Sequence, residues 1–107
     1  MAEKESIFER KLVEKLEAMY PGAYVIKNNP NYRQGFPDRI FLYDNFWAAF
    51  DTKREASASH QPNQAYYIKR LNQMSLAMFV YPENEQEFLD AIQRSQQLAR
   101  RSRISGR

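Results

Sequence analysis

The chain has 107 residues and 43% hydrophobic content, enough for one domain around one modest core. It contains no cysteine and one histidine, which excludes disulfides, thiolate-held zinc and any pair of histidine ligands. Formal net charge is +3, but residues 94–107 hold five arginines and no acid, whereas residues 1–93 carry 11 Lys/Arg against 13 Asp/Glu. An arginine-rich end favours a polyanion such as nucleic acid; its plainer reading is a solvated terminus. No apolar run approaches the roughly 20 residues of a membrane span. The start MAEKESIFER lacks a signal-peptide core. The expectation is a cytoplasmic protein with no membrane partner.

Residues 5–20 place Ile7, Phe8, Leu12, Leu16 and Met19 at steps near three and four, which predicts an amphipathic helix closed by Pro21-Gly22. AYVIK (23–27) reads as a short strand, and NNPNYRQGFP (28–37) as a loop. RIFLY and NFWAAFDTK predict a hairpin around Asp44-Asn45. EASASHQ (55–61) is polar and turn-like, Pro62 suits a first helical turn, and the helix should run to about Met74. LAMFVY (76–81) is a further strand, ended by Pro82. EQEFLDAIQRSQQLARR closes the chain as a helix with acids at its start and bases at its end, as the helix dipole prefers. The order α, three strands, α, strand, α predicts an α/β fold, one sheet with helices on its faces. Residues 1–97 form the expected domain and residues 98–107 a flexible basic tail.

The chemistry concentrates in the hairpin. Alternate strand residues share a face, about 7 Å apart. Trp47, Ala49, Asp51 and Lys53 therefore point one way, and Phe46, Ala48, Phe50 and Thr52 the other, into a core. The pattern does not fix the register, but it allows Asp38 to lie beside Asp51. Two adjacent carboxylates repel, and one would ordinarily take up a proton. A divalent cation removes that penalty. Magnesium takes oxygen donors and keeps several waters, one of which can act as a nucleophile. Lys53 could orient that water or stabilise charge growing on a phosphate. The set suits phosphodiester hydrolysis without histidine or cysteine.

Pro37-Asp38, followed after thirteen residues by Asp51-Thr52-Lys53, resembles the PD-(D/E)-x-K nuclease signature. With Gln64 at the head of a helix and Leu71 seven residues on, residues 5–92 look most like the small stand-alone VRR-NUC nucleases, many of them phage-encoded. The resemblance implies a restriction-endonuclease-like αβββαβ core, Mg²⁺ or Mn²⁺, and DNA cleavage. It implies Asp38, Asp51 and the Thr52 carbonyl as metal ligands, Lys53 as catalytic lysine, and Gln64 as a polar partner of water or phosphate. A helix-one acid would complete the set: Glu5, where an ES-x-F-x-x-x-L pattern begins, or Glu9, four residues on along the same face. Asp51 stands where many relatives carry Glu, which draws the metal closer to the strand. The resemblance also implies a homodimer acting on branched DNA such as four-way junctions.

Each residue also has a plainer reading. Asp38 caps a turn after Pro37; Asp51 pairs with Lys53 or Arg54; Lys53 and Gln64 are surface residues; His60 is a loop histidine. Trp47, Tyr66 and Tyr67 read as core rather than as base-stacking platforms. Lys27, Arg33, Arg39, Arg54, Lys69, Arg100, Arg101 and Arg103 are candidate phosphate contacts or solvated cations. A small body without a sequence-reading module favours recognition of DNA shape. The alternatives to an enzyme are a non-catalytic nucleic-acid-binding protein and a nuclease subunit that needs a partner.

Overall fold

The computed structural model describes residues 2–29 and 31–105, with side chains described for residues 5–29 and 31–102. Its elements are α1 (Ala2–Met19), β1 (Tyr24–Lys27), β2 (Arg39–Tyr43), β3 (Phe46–Thr52), α2 (Pro62–Met74), β4 (Leu76–Val80), a 3-10 turn (Pro82–Asn84) and α3 (Glu85–Ser105). The four strands form one mixed sheet in the order β1-β2-β3-β4. The first three are antiparallel, and β4 runs parallel to β3 through the α2 crossover. The chain is thus a mixed α/β protein. No helix among the described residues is long and apolar enough to cross a membrane.

The β2–β3 connection is a two-residue turn at Asp44-Asn45, with Tyr43 opposite Phe46 and Phe41 opposite Ala48. Asp44 adopts a φ of +56°, in the left-handed region that such tight hairpins require and that aspartate tolerates. The Asn45 side chain donates to the Ala99 carbonyl of α3 at 2.8 Å, tying the turn to the last helix.

Register sorts the sheet into two faces. Phe41, Phe46, Ala48, Phe50, Leu76 and Val80 share one, where they pack with Leu12 and Leu16 of α1, Tyr20 just after it, and Phe88, Leu89 and Ile92 of α3. α2 contributes nothing to this core and contacts β4 and β3 from the other face, where the register partners Ala49 and Ala77 are the small buried residues. β3 is therefore buried along both faces apart from Trp47, which is half-buried. Beyond α2's reach, Tyr24, Ile26 and Leu42 of β1 and β2 remain exposed on that second face.

Three expectations change. The inward stripe of α1 runs Phe8, Leu12 and Leu16 in steps of four and continues to Tyr20 just past the helix, so Ile7 and Met19, one residue off it, are exposed. Tyr66 is exposed rather than core, because α2 buries no residue completely. Residues 98–105 continue α3 without a break, so this part of the basic segment is the end of a helix.

Candidate functional site

The acids meet where β3 ends. Antiparallel pairing sets Arg39 against Phe50, so the residue before β2 comes level with the one after Phe50. Asp38 N–H donates to Asp51 Oδ1 at 2.8 Å. The Asp38 peptide is held from its other side too: Asn28 N–H donates to the Asp38 carbonyl and the Asn28 side chain to the Pro37 carbonyl, each at 2.7 Å. These bonds carry the β1–β2 ladder one step past Lys27↔Arg39 and leave Pro37 fully buried.

Asp51 is 3% exposed, and its Oδ2 is buried with no hydrogen-bond partner. Burial pushes its carboxyl up from an ordinary value of 3.8 to about 6. The Asp38 N–H opposes that rise, the negative charges of Asp38 and Glu9 add to it, and Lys53 holds it down. Among the described residues no ion pair joins Asp51 to Lys53 or Arg54, so the salt-bridge reading of this aspartate is not what the structure contains. A buried anion with an unpartnered oxygen is costly for a fold to keep.

Lys53 follows directly. Its backbone N–H donates to the Val80 carbonyl at 2.8 Å, extending the β3–β4 ladder. Its Nζ lies 3.4 Å from Gln64 Oε1 and 5.7 Å from the centre of the Phe79 ring. Gln64 Oε1 also accepts the Gln61 N–H at 2.9 Å, one half of a capping box at the start of α2. One side chain thus fastens a helix terminus and positions the lysine. Thr52, between the acid and the base, is 5% exposed and faces the main core.

The helix-one acids behave differently from the pair. Glu9 Oε2 accepts from Arg39 Nε at 2.6 Å, with both side chains largely buried. Glu5 is half-buried one turn earlier. Among the described residues no group of three or more acidic, histidine or cysteine side chains is placed to hold a metal, so neither glutamate joins Asp38 and Asp51 in a cluster. Arg39, expected as a phosphate contact, is occupied by Glu9 on the α1 face.

The other cations scatter. Arg54 pairs with Glu55 at 3.6 Å. Arg33 donates to the Tyr67 hydroxyl at 3.4 Å and sits 6.0 Å above that ring. Lys27, Lys69, Arg100 and Arg101 are exposed on β1, α2 and α3, far from being one patch in sequence. The Arg103 side chain lies outside those described. His60 stacks on Phe79 with ring centres 4.4 Å apart, beside Lys53 in a cleft of about 430 Å³.

Sequence reasoning missed Asn28 and Phe79. Phe79 was reachable, since it pairs with Asp51 in the parallel register, but only once β4 was known to lie against β3. Asn28 carried no signal beyond its place in an asparagine-rich loop. Compared with known proteins, the chain matches no family model, no curated protein and no solved structure at a significant level.

Proposed function

We propose that this chain is a divalent-metal-dependent nuclease of the PD-(D/E)-x-K type, with a restriction-endonuclease-like core of the VRR-NUC kind. The observation that carries the reading is Asp51: a carboxylate buried at a strand end, with one oxygen held by the Asp38 N–H and the other unpartnered. Magnesium is commonly held by one or two carboxylates plus substrate phosphate and waters, so a pair of acids without a third is a donor set it accepts. Asp38, Asp51 and the Thr52 carbonyl are the residues that would hold Mg²⁺ or Mn²⁺. Such an ion, when bound, supplies Lewis acidity and an acidified water for attack on phosphorus.

The chain's own residues do the rest. Asp51 holds the Asp38 backbone in place, and Lys53, steadied by Gln64, offers an ammonium where charge accumulates on the scissile phosphate. DNA is the substrate, with branched forms favoured, because a body this small without a sequence-reading module favours recognition of shape. A homodimer would place two such sites on opposed strands. The exposed Tyr24, Ile26 and Leu42 support pairing through the open face of β1 and β2.

The test is cleavage of linear, nicked, flapped and four-way DNA with Mg²⁺, with Mn²⁺ and with chelator. Metal-dependent cutting that Asp51→Ala abolishes, while DNA binding persists, is the expected outcome. Equal cutting by the parent and the variant would refute it.

A further inference from the structure

Next to the acids, the 28–37 loop and its flanks form a second feature that hydrolysis does not require. A cavity of about 360 Å³ is lined, among the described residues, by Asn28, Asn29, Tyr32, Arg33 and Phe36. Tyr32 is 89% exposed, an aromatic ring left almost wholly in water. Phe36 meets Tyr67 of α2 edge-on, ring centres 5.3 Å apart, and Arg33 lies over the same tyrosine.

The described residues of the loop are tied together by hydrogen bonds. Tyr32 N–H donates to the Asn29 carbonyl, Asn31 N–H to Asn29 Oδ1, and Phe36 N–H to the Arg33 carbonyl. Gly35 has a φ of +88°, and a Cβ there would fall 2.6 Å from Asn63 Cγ, so only glycine lets the loop close onto α2. Asn63 in turn donates to the Gln34 carbonyl at 3.2 Å. Two frameworks therefore join the cavity to the site, one to the acids and one to Lys53. Asn28 is both a cavity wall and the residue bonded to the Pro37 and Asp38 carbonyls. The first turns of α2 hold the loop through Asn63 and Tyr67 and hold Lys53 through Gln64.

We propose that this cavity is a nucleobase pocket that receives an unpaired nucleotide of the substrate strand beside the scissile phosphate. The proposal rests on the nuclease reading for its substrate class. Its chemistry matches one occupant. Exposed aromatic rings stack on any base, and stacking contributes about 1–3 kcal/mol per base, equivalent to at least about fivefold in affinity. The Arg33 guanidinium, hydrogen-bonded to a neutral phenol instead of a carboxylate, keeps its charge for a flanking phosphate. The Asn29 side-chain N–H₂, whose Oδ1 is taken by the Asn31 N–H, supplies a donor for a base edge. Bases inside a duplex are stacked on their neighbours and cannot enter, so the pocket selects nucleotides already unpaired, as at flaps, bulges and the centres of branched DNA.

The experiment is fluorescence anisotropy in chelator, where no cutting occurs. Three labelled duplexes are compared: fully paired, with one bulged nucleotide, and with an abasic bulge. The parent protein should bind the bulged duplex at least about fivefold more tightly than the paired one, and the abasic bulge should lose that preference. Tyr32→Ala should lose the same preference and show no further loss on the abasic duplex, whereas Tyr32→Phe should retain it. Because Tyr32 is exposed, its removal does not threaten the fold. A Tyr32→Ala protein that keeps the bulge preference, or weakens all three duplexes equally, overturns the pocket. Metal-dependent cutting, measured separately, would survive that failure, and loss of cutting would leave the binding result intact.

Discussion

Asp51→Asn isolates the cost of keeping a charged carboxylate in the sheet. The folded carboxyl holds its proton up to a pH of about 6, against an ordinary 3.8. Between those values the folded state binds more protons than the unfolded one, so stability falls as pH rises, and it levels off above about 6. At 1.36 kcal/mol per unit, the rise corresponds to about 3 kcal/mol, a sizeable part of the roughly 5–15 kcal/mol that holds a domain folded. Asparagine keeps the shape and the oxygen that accepts the Asp38 N–H, but cannot ionise. Its amide places new donors where Oδ2 lies unpartnered, which costs about 1–3 kcal/mol independently of pH. The absolute difference between parent and variant therefore depends on that amide, whereas its pH dependence does not. Urea unfolding followed by Trp47 fluorescence, in chelator from pH 3.5 to pH 8, should show the variant gaining about 3 kcal/mol on the parent. Mg²⁺ at ten times its dissociation constant should then raise the parent's stability by about 1.4 kcal/mol at pH 7.5 and leave Asp51→Asn unchanged. A difference flat with pH would refute the assignment of Asp51 as a buried, uncompensated acid.

Lys53→Met should lower single-turnover cleavage about 100- to 1000-fold while changing the urea midpoint little, since it removes one donor to developing charge. Gln64→Ala should cost about 1 kcal/mol by urea unfolding, because the Gln61 N–H loses its acceptor, and Gln64→Glu should restore that stability. Glu9→Gln leaves Arg39 largely buried without its counter-charge and should cost about 3 kcal/mol by the same measurement. It should also shift the Asp51-dependent fall in stability to lower pH, because Glu9 contributes to raising that carboxyl. Deleting residues 98–107 removes Arg100, Arg101, Arg103 and Arg107 and should reduce the salt slope of DNA binding by up to about 3.6. An unchanged slope would mark that end as merely solvated.

Much of the fold was legible because its signals are local. Pro62 marks the first turn of α2, the Asp44-Asn45 pair marks the hairpin, and strand alternation puts Asp51 opposite in facing to Phe50 and Thr52. The meeting of Asp38 with Asp51 was legible as a possibility only. It became definite once the two-residue turn set the register, since a slip of one residue would have moved every side chain to the other face. What stayed hidden depends on long-range neighbours. Arg39 and Glu9 are 30 residues apart, and no periodicity says that an arginine at a strand start will turn under α1 to meet a glutamate. Tyr66 reads as core on hydropathy alone, yet α2 covers only the part of the sheet built from β3 and β4, so half of its surface faces water. The loop cavity was equally silent, because its walls come from residues 28–36 while Asn63 and Tyr67 set their position.

Those long-range pairings bear on why the acids are left as they are. Three cations near the sheet end are directed elsewhere: Arg39 to Glu9, Arg54 to Glu55, and Lys53 to the neutral Gln64. A cation turned onto Oδ2 would offset part of the burial penalty. Among the described residues the compensation comes from a single peptide N–H and from Lys53 acting at a distance. Such an arrangement repels a phosphate and attracts a small multivalent cation, so the acids and a DNA strand become compatible only with positive charge interposed between them. That conflict is what the proposed metal-dependent reading accounts for, since an ion placed between the carboxylates and a phosphate would resolve it, whereas a surface that only binds DNA gains nothing from it.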